Sequence, residues 1–343
     1  MKIRVSMLFV LMVCLFANRA FAADETALNT EDTPQQQSLE RVEEIVYGAP
    51  SSGGMFLRLA RVERDLFGME LPGSLTERQQ ALRSFVEEGT ATQPSLVYKI
   101  GVAEWVTLNR VHPSLPLSDR MTNLEIALEG EPQVGALSAR LERILTKLLP
   151  NGVYSAPVQI PAGTVFKGAF TKTLTVRNVS VGDKIELSII EDFTSGGTVA
   201  VAKGNRIFAE VTKVKMPRSF GRTSEINVNF KDLESLDGRM SPITLGAQAK
   251  KAMELDSGTV GAAGASIAGA VLLGPLGLAG GFLVRGSDKQ IKEGTLMYVE
   301  ITEAVTVTGY PIAASTVPAD DGTVYTGPSP TQQTSDFVPI DGE

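Results

Sequence analysis

IPAGTVFKGAF, residues 160–170, marks the point where the apolar period of this chain changes from helical to alternating. Its first half has the form apolar-x-x-Gly-Thr-x-apolar. The form returns, with Asn for Thr in one copy, around Val201, Gly204, Asn205 and Ile207 and again around Ile291, Gly294, Thr295 and Met297. In each copy the glycine supplies a turn that feeds a strand. Val165, Lys167 and Ala169 then alternate with apolar partners, as do Ile185, Leu187 and Ile189, and the same pattern runs through 211–214 and 226–230. Gly196-Gly197 and Asp237-Gly238 add turn signals. About seven short strands within residues 158–312 predict a small, mostly antiparallel β-barrel or sandwich.

Residues 38–150 have the helical period instead, and they repeat. Gly48, Pro50, Gly53, Met55, Arg58, Leu59, Arg61, Val62 and Leu66 match Gly130, Pro132, Gly135, Leu137, Arg140, Leu141, Arg143, Ile144 and Leu148 at one constant offset. Leu39, Val42 and Val46 align in the same way with Met121, Leu124 and Leu128. Each copy therefore reads as helix, Gly-x-Pro-x-x-Gly turn, helix: an αα-hairpin. The helical pattern of residues 75–86 is expected to pack between the two hairpins. Pro150, Asn151, Gly152 and Pro157 mark a joint at which the helical domain should separate from the β domain. The fold class is thus α+β, with αα-hairpin repeats followed by a barrel.

Within the β domain lies VGAAGASIAGAVLLGPLGLAGGFLV, residues 260–284, with no charge in it. Gly261, Ala265 and Gly269 fall four apart, as do Gly277 and Gly281, and Gly264 adds to the small-residue face, so helix backbones could approach closely there. Gly274-Pro275 divides the run, which predicts two short helices rather than one rod. Asp256-Ser257-Gly258-Thr259 reads as the N-cap of the first. The expectation is a glycine-zipper hairpin, residues 258–285, inserted in the barrel domain. It either enters the outer membrane, with Arg285 and Lys289 snorkelling at its exit, or is buried in an oligomer interface.

At the N-terminus, Lys2 and Arg4 precede an apolar stretch that ends in Ala20-Phe21-Ala22, the pattern of a cleavable signal peptide over residues 1–22. The periplasm, in association with the outer membrane, is the expected location. Cys14 is the single cysteine and leaves with the signal, so neither disulfides nor thiolate metal sites can contribute to the mature chain. The whole chain has net charge −7, and loss of Lys2, Arg4 and Arg19 makes the remainder more acidic, which argues against nucleic acid as a partner. Residues 23–37 and 313–343 are rich in polar, acidic and small residues and read as a disordered linker and tail.

IPAGTVFKGAF, VGDKIEL, VAKGNRIFAEVTKVK, GRTSEINVNF and LDGRMSPI, in that order, resemble a recurrent bacterial envelope domain of uncharacterised type, in which a glycine-zipper segment interrupts a small barrel. The same stretch, about residues 158–308, is remotely similar to the barrel of the type IV secretion core-complex scaffold (TrbI-like) family, where a helical insertion between strands forms an outer-membrane antenna. Ile160, Gly163, Lys203, Gly204, Asp237 and Gly238 carry that resemblance. It implies a structural or transport-related envelope role, a homo-oligomer and an envelope partner. The chain is expected to depart from the scaffold in lacking an inner-membrane anchor beyond its cleavable signal and a long Pro-rich periplasmic arm, and in carrying the αα repeats instead.

An enzyme is not expected. His112 is the only histidine, so a histidine triad or a multi-histidine metal site has no residues to use, and no cofactor or small-molecule ligand is implied. Glu191-Asp192 and Asp232, Glu234 and Asp237 fit strand ends and turn chemistry better than paired acid–base work. Gly196-Gly197 and Gly280-Gly281 lack the lysine and spacing of a phosphate loop. Arg58 and Arg61, with their counterparts Arg140 and Arg143, form a basic stripe on the second helix of each repeat. Solvated pairing with neighbouring carboxylates such as Glu63 and Glu142 explains it. The alternative function is a soluble periplasmic module that binds peptidoglycan or another cell-wall polymer along that stripe. Trp105, the only tryptophan, is expected to anchor a core or an interface.

Overall fold

A computed structural model of the chain describes residues 34–90, 93–216, 224–260, 281–286 and 290–312. The expected signal peptide, most of the expected linker, the expected tail and most of the glycine run, including Gly261, Gly264, Ala265, Gly269 and Gly277, lie outside the described residues.

The N-terminal unit contains α1 (Pro34–Tyr47), α2 (Met55–Phe67), α3 (Leu75–Arg83) continued by a π turn (Ser84–Glu88), α4 (Leu96–Leu108), α5 (Leu117–Glu129) and α6 (Leu137–Leu148). α1 starts at Pro34, inside the expected linker. Proline is well suited to a first helical position, where its missing N–H is no loss. Leu39, Val42 and Val46 carry α1's apolar face into the core. The two matching turns between α1 and α2 and between α5 and α6 share their backbone. Gly48 and Gly130 have φ 85° and 86°, and Gly53 and Gly135 have φ 114° and 117°. These positive values favour glycine at all four sites. The repeat is therefore real, but α3 does not lie between its copies. It packs on α1, and the hairpins meet directly through α1 with α5 and α2 with α6.

Eleven strands, rather than about seven, follow among the described residues: β1 (Ala156–Ile160), β2 (Val165–Phe170), β3 (Lys184–Ile189), β4 (Phe193–Ser195), β5 (Thr198–Val201), β6 (Arg206–Lys215), β7 (Ser224–Glu234), β8 (Met240–Thr244), β9 (Gly281–Gly286), β10 (Leu296–Ile301) and β11 (Val305–Pro311). One sheet runs β6-β3-β2-β10-β8-β7, and pairing of β6 with β7 closes it into a six-stranded antiparallel barrel. β9 adds to β7 beyond the closure. A smaller sheet, β1-β11-β5-β4, covers one side. The gain in number comes from short strands such as β4, whose Gly196-Gly197 turn to β5 has φ 57° and 73°, the two positive angles a tight hairpin demands.

Gly163, Gly204 and Gly294 occupy one turn geometry, as the sequence motif predicts. The residue after each glycine donates its N–H to the carbonyl three residues back: Thr164 to Pro161 at 3.2 Å, Asn205 to Ala202 at 3.0 Å and Thr295 to Lys292 at 3.1 Å. A fourth copy, Ser180-Val181-Gly182-Asp183, precedes β3, with Asp183 donating to Ser180 at 3.2 Å. In all four the glycine N–H reaches a carbonyl in or at the end of a neighbouring strand at 2.8 Å: Ile301, Val211, Ile189 and Phe170 for Gly163, Gly182, Gly204 and Gly294. Thus β2 and β10 tie each other's ends, and β3 and β6 do the same.

α7 (Ala247–Val260) connects β8 to the glycine run and packs on β10 and β2. Asp256 is inside this helix and not at its N-cap. Gly281 opens strand β9 rather than lying in a helical arm, so the expected helical hairpin can extend no further than residue 280.

Candidate functional site

The arginine stripe turns inward. Glu43, Glu63, Glu104 and Glu125 are all buried, and each meets an arginine 15 or 16 residues later: Arg58, Arg78, Arg120 and Arg140. Each carboxylate also accepts a backbone N–H eight residues on, from Ser51, Leu71, His112 and Gln133, at 2.9–3.3 Å. The same latch thus closes four helix-turn-helix steps. It explains why the carboxylates tolerate burial, since each has a cation and an amide donor in place. Burial alone would raise the Glu104 carboxyl, but the Arg120 charge, together with bonds from His112 and Arg120, outweighs it and holds the group at about 2. Burial is likewise outweighed at Glu125, which Arg140, the Gln133 N–H and Arg143 hold below the usual carboxylate range.

Arg58 and Arg140 are therefore internal struts, not a surface for a polymer. Arg61 is half-exposed beside Asp65 and lies over the Tyr47 ring, while Arg143 reaches Glu125 and Glu129. Arg58, Arg140 and Arg143 use carboxylates on the preceding helix rather than the same-helix Glu63 and Glu142, and Arg61 alone of the four pairs within its own helix, with Asp65. Glu63 serves Arg78, and Glu142 pairs with Lys99. The sequence reading missed these latches because their spacing is uneven, with two of the four falling between the copies of the repeat it found. The signal was present as four Glu residues each followed by an Arg.

The helical unit and the β unit pack on one another beyond the joint at residues 150–157. Val199, Ala202, Leu236 and Tyr310 of the β unit belong to the same apolar cluster as the helices. Tyr98 on α4 donates its hydroxyl toward Tyr154 O at 2.8 Å and Gly309 O at 2.9 Å. Trp105, as expected of an anchor, spans the joint: its indole N–H donates to Asp192 at 2.9 Å, and its ring meets Tyr310 edge-on at 5.9 Å. Val111 donates to Lys203 O at 2.8 Å beside the Gly204 turn. His112 sits in this same loop, partly exposed, with Nδ1 3.7 Å from Glu104. Among the described residues no cluster of three or more His, Cys, Asp or Glu side chains is placed to hold a metal ion.

Between the units lies a cleft of about 980 Å³. Its helical wall carries Arg41, Arg83, Glu87 and Glu88, and its β wall Arg206, Glu234, Asp237 and Arg239. α7 is clamped to the barrel surface. Asp256 accepts from the Tyr298 hydroxyl and from Lys167 Nζ at 2.8 Å. Hydrogen bonds to Asp256 and Tyr298 push the Lys167 ammonium above its usual range. At the start of the helix Glu300 accepts the Ala249 N–H at 2.7 Å. These contacts fix the element that leads into the glycine run.

No family model and no curated protein matches the chain. Among solved structures, ComB10 of the Com type IV secretion system of Helicobacter pylori is a remote neighbour. Its TM-score is 0.23 at 11% identity, over 43% of this chain and 88% of that one.

Proposed function

We propose that the protein is a non-enzymatic component of the bacterial cell envelope, structural or transport-related, that forms a homo-oligomer at the outer membrane through the uncharged run 261–280. One observation supports this reading above the others: both ends of the run are fastened to the barrel. α7 brings the chain to Val260 under the Lys167–Asp256–Tyr298 clamp, and β9 resumes at Gly281 in register with residues 224–229 of β7. The two flanks of an apolar, small-residue segment are thus anchored, which favours a packing or insertion role for it. Each half of it, about ten residues, would reach about 15 Å as helix, half of a typical ~30 Å hydrocarbon core. Assembly of several copies, or entry into one leaflet, suits that length better than an independent span. Among the described residues no helix is long and apolar enough to cross a membrane.

Extraction of washed envelopes tests the proposal. The protein should resist high salt and carbonate and come out with detergent. Release by carbonate alone would remove insertion from the account.

A further inference from the structure

We infer that the cleft between the helical unit and the barrel is a binding site for a short extended peptide that carries both a cationic and an anionic group. The cavity, at about 980 Å³, is at the upper end of the range of ligand sites. Its composition narrows the ligand. Each wall alternates the two charges: Arg41 lies 3.0 Å from Glu87 and Arg83 3.1 Å from Glu88 on one side, while Arg206 lies 2.7 Å from Glu234 and Arg239 4.0 Å from Asp237 on the other. A polyanion such as a nucleotide would face those carboxylates, and an apolar ligand would strip water from every pair without replacing it. A neutral glycan is bound by stacking on exposed aromatic faces. Tyr98 is the only aromatic side chain among the described residues of the lining, and it is buried with its hydroxyl committed to the joint. A peptide with an ammonium and a carboxylate can exchange partners with such pairs, and its amides match the polar rim.

Local backbone supports a built wall. The π turn at Ser84–Glu88 winds the end of α3 wider than an α-helix and turns Glu87 and Glu88 to the cleft while Val86 stays in the core. Gly89 then closes it at φ 62°, where a Cβ would lie 2.4 Å from Ser95 N, so no other residue fits. π turns of this kind recur at functional sites. Arg83 and Arg239 are 56% and 60% exposed on opposite walls, and a ligand would draw Arg83 from Glu88, and Arg239 from Asp237 and from its 2.7 Å bond to Thr306 O.

Calorimetry on the purified mature chain, with the pentapeptide Ala-Glu-Lys-Ala-Ala as probe and its all-Ala and Ala-Glu-Glu-Ala-Ala counterparts as comparisons, tests the inference. The mixed-charge peptide should bind, and the other two about tenfold or more weakly. Arg83→Ala and Arg239→Ala should each weaken it by about tenfold, the scale of one lost charge-assisted hydrogen bond. Both side chains are solvent-exposed, so unchanged melting curves will certify the fold, and Glu88→Gln provides a second reading from the acidic partner of Arg83. Absence of heat at millimolar peptide, equal affinity for all three probes, or indifference to all three substitutions would overturn the inference. Binding that appears only after deletion of residues 313–343 would also overturn it, by making the chain's own acidic tail the occupant. None of these outcomes bears on envelope assembly through residues 261–280.

Discussion

Replacing Gly204 by alanine should cost far more than the same change in the sister turns, because one of the four turns is pressed against the helical unit and two others face open space. Gly182, Gly204 and Gly294 have φ 94°, 99° and 78°, so alanine is strained at each by about 1–2 kcal/mol. At Gly182 and Gly294 a Cβ meets nothing within 4 Å. At Gly204 it would lie 2.0 Å from Val111 O and 2.9 Å from Val111 C, all of it backbone, so the two units must move apart. That separation threatens the 2.8 Å Val111 N–H to Lys203 O bond, worth about 1 kcal/mol. It also imposes about 1–3 kcal/mol of overpacking on a joint where Val111 and Ala202 are fully buried. Urea unfolding of the chain without residues 1–22, followed by circular dichroism and by Trp105 fluorescence, is the assay. Gly182→Ala and Gly294→Ala should lose about 1–2 kcal/mol and Gly204→Ala about 3–6 kcal/mol. In the wild type the two signals should change together, because the units share a core. Equal losses in all three variants, or a Trp105 transition separated from the bulk one, would refute the shared core.

Three further outcomes follow from the same contacts. Glu104→Gln leaves Arg120 buried against a neutral partner and should destabilise by about 3–5 kcal/mol in the same unfolding assay, whereas Glu142→Gln, at an exposed pair, should cost under about 1 kcal/mol. The Glu104 carboxyl is held at about 2 when folded against 4.5 unfolded, so its contribution is complete above 4.5 and is lost as the pH falls through 2. An acid titration of the wild type beside Glu104→Gln should show the difference between them shrinking over that window. Tyr98→Phe removes the hydroxyl that serves Tyr154 O and Gly309 O and should cost about 1–3 kcal/mol by thermal melting, with the barrel strands still present by circular dichroism.

What could be read from the sequence was whatever is local. The glycine turns of the barrel were legible because each needs a positive φ and leaves apolar-x-x-Gly in the chain; Gly182 escaped only because Asp183 stands where Thr or Asn was sought. The αα-hairpins were legible through their glycines for the same reason. The Glu–Arg latches were not, because the two members are a full helix apart and each looks like an ordinary surface charge until burial is known. Nor was the shared core, since residues 150–157 do carry the composition of a joint. What closes that joint is Tyr98, Trp105 and Val111 meeting residues 56 to 211 positions further on, contacts that no local pattern records. The Asp256 segment shows the opposite failure: its cap-like composition belongs to a helix already under way, with Asp256 used to hold α7 on the barrel.

The size of the protein in detergent, measured after extraction from envelopes with the wild type beside Gly269→Leu and Gly277→Leu, tests the central claim most directly. If helix backbones meet at those glycines, a leucine has no room there. The wild type should then run as an oligomer and both variants as smaller species with the barrel intact by circular dichroism, while Val271→Leu remains like the wild type. A monomeric wild type, or retention of wild-type size and envelope association by both glycine variants, would contradict assembly through residues 261–280.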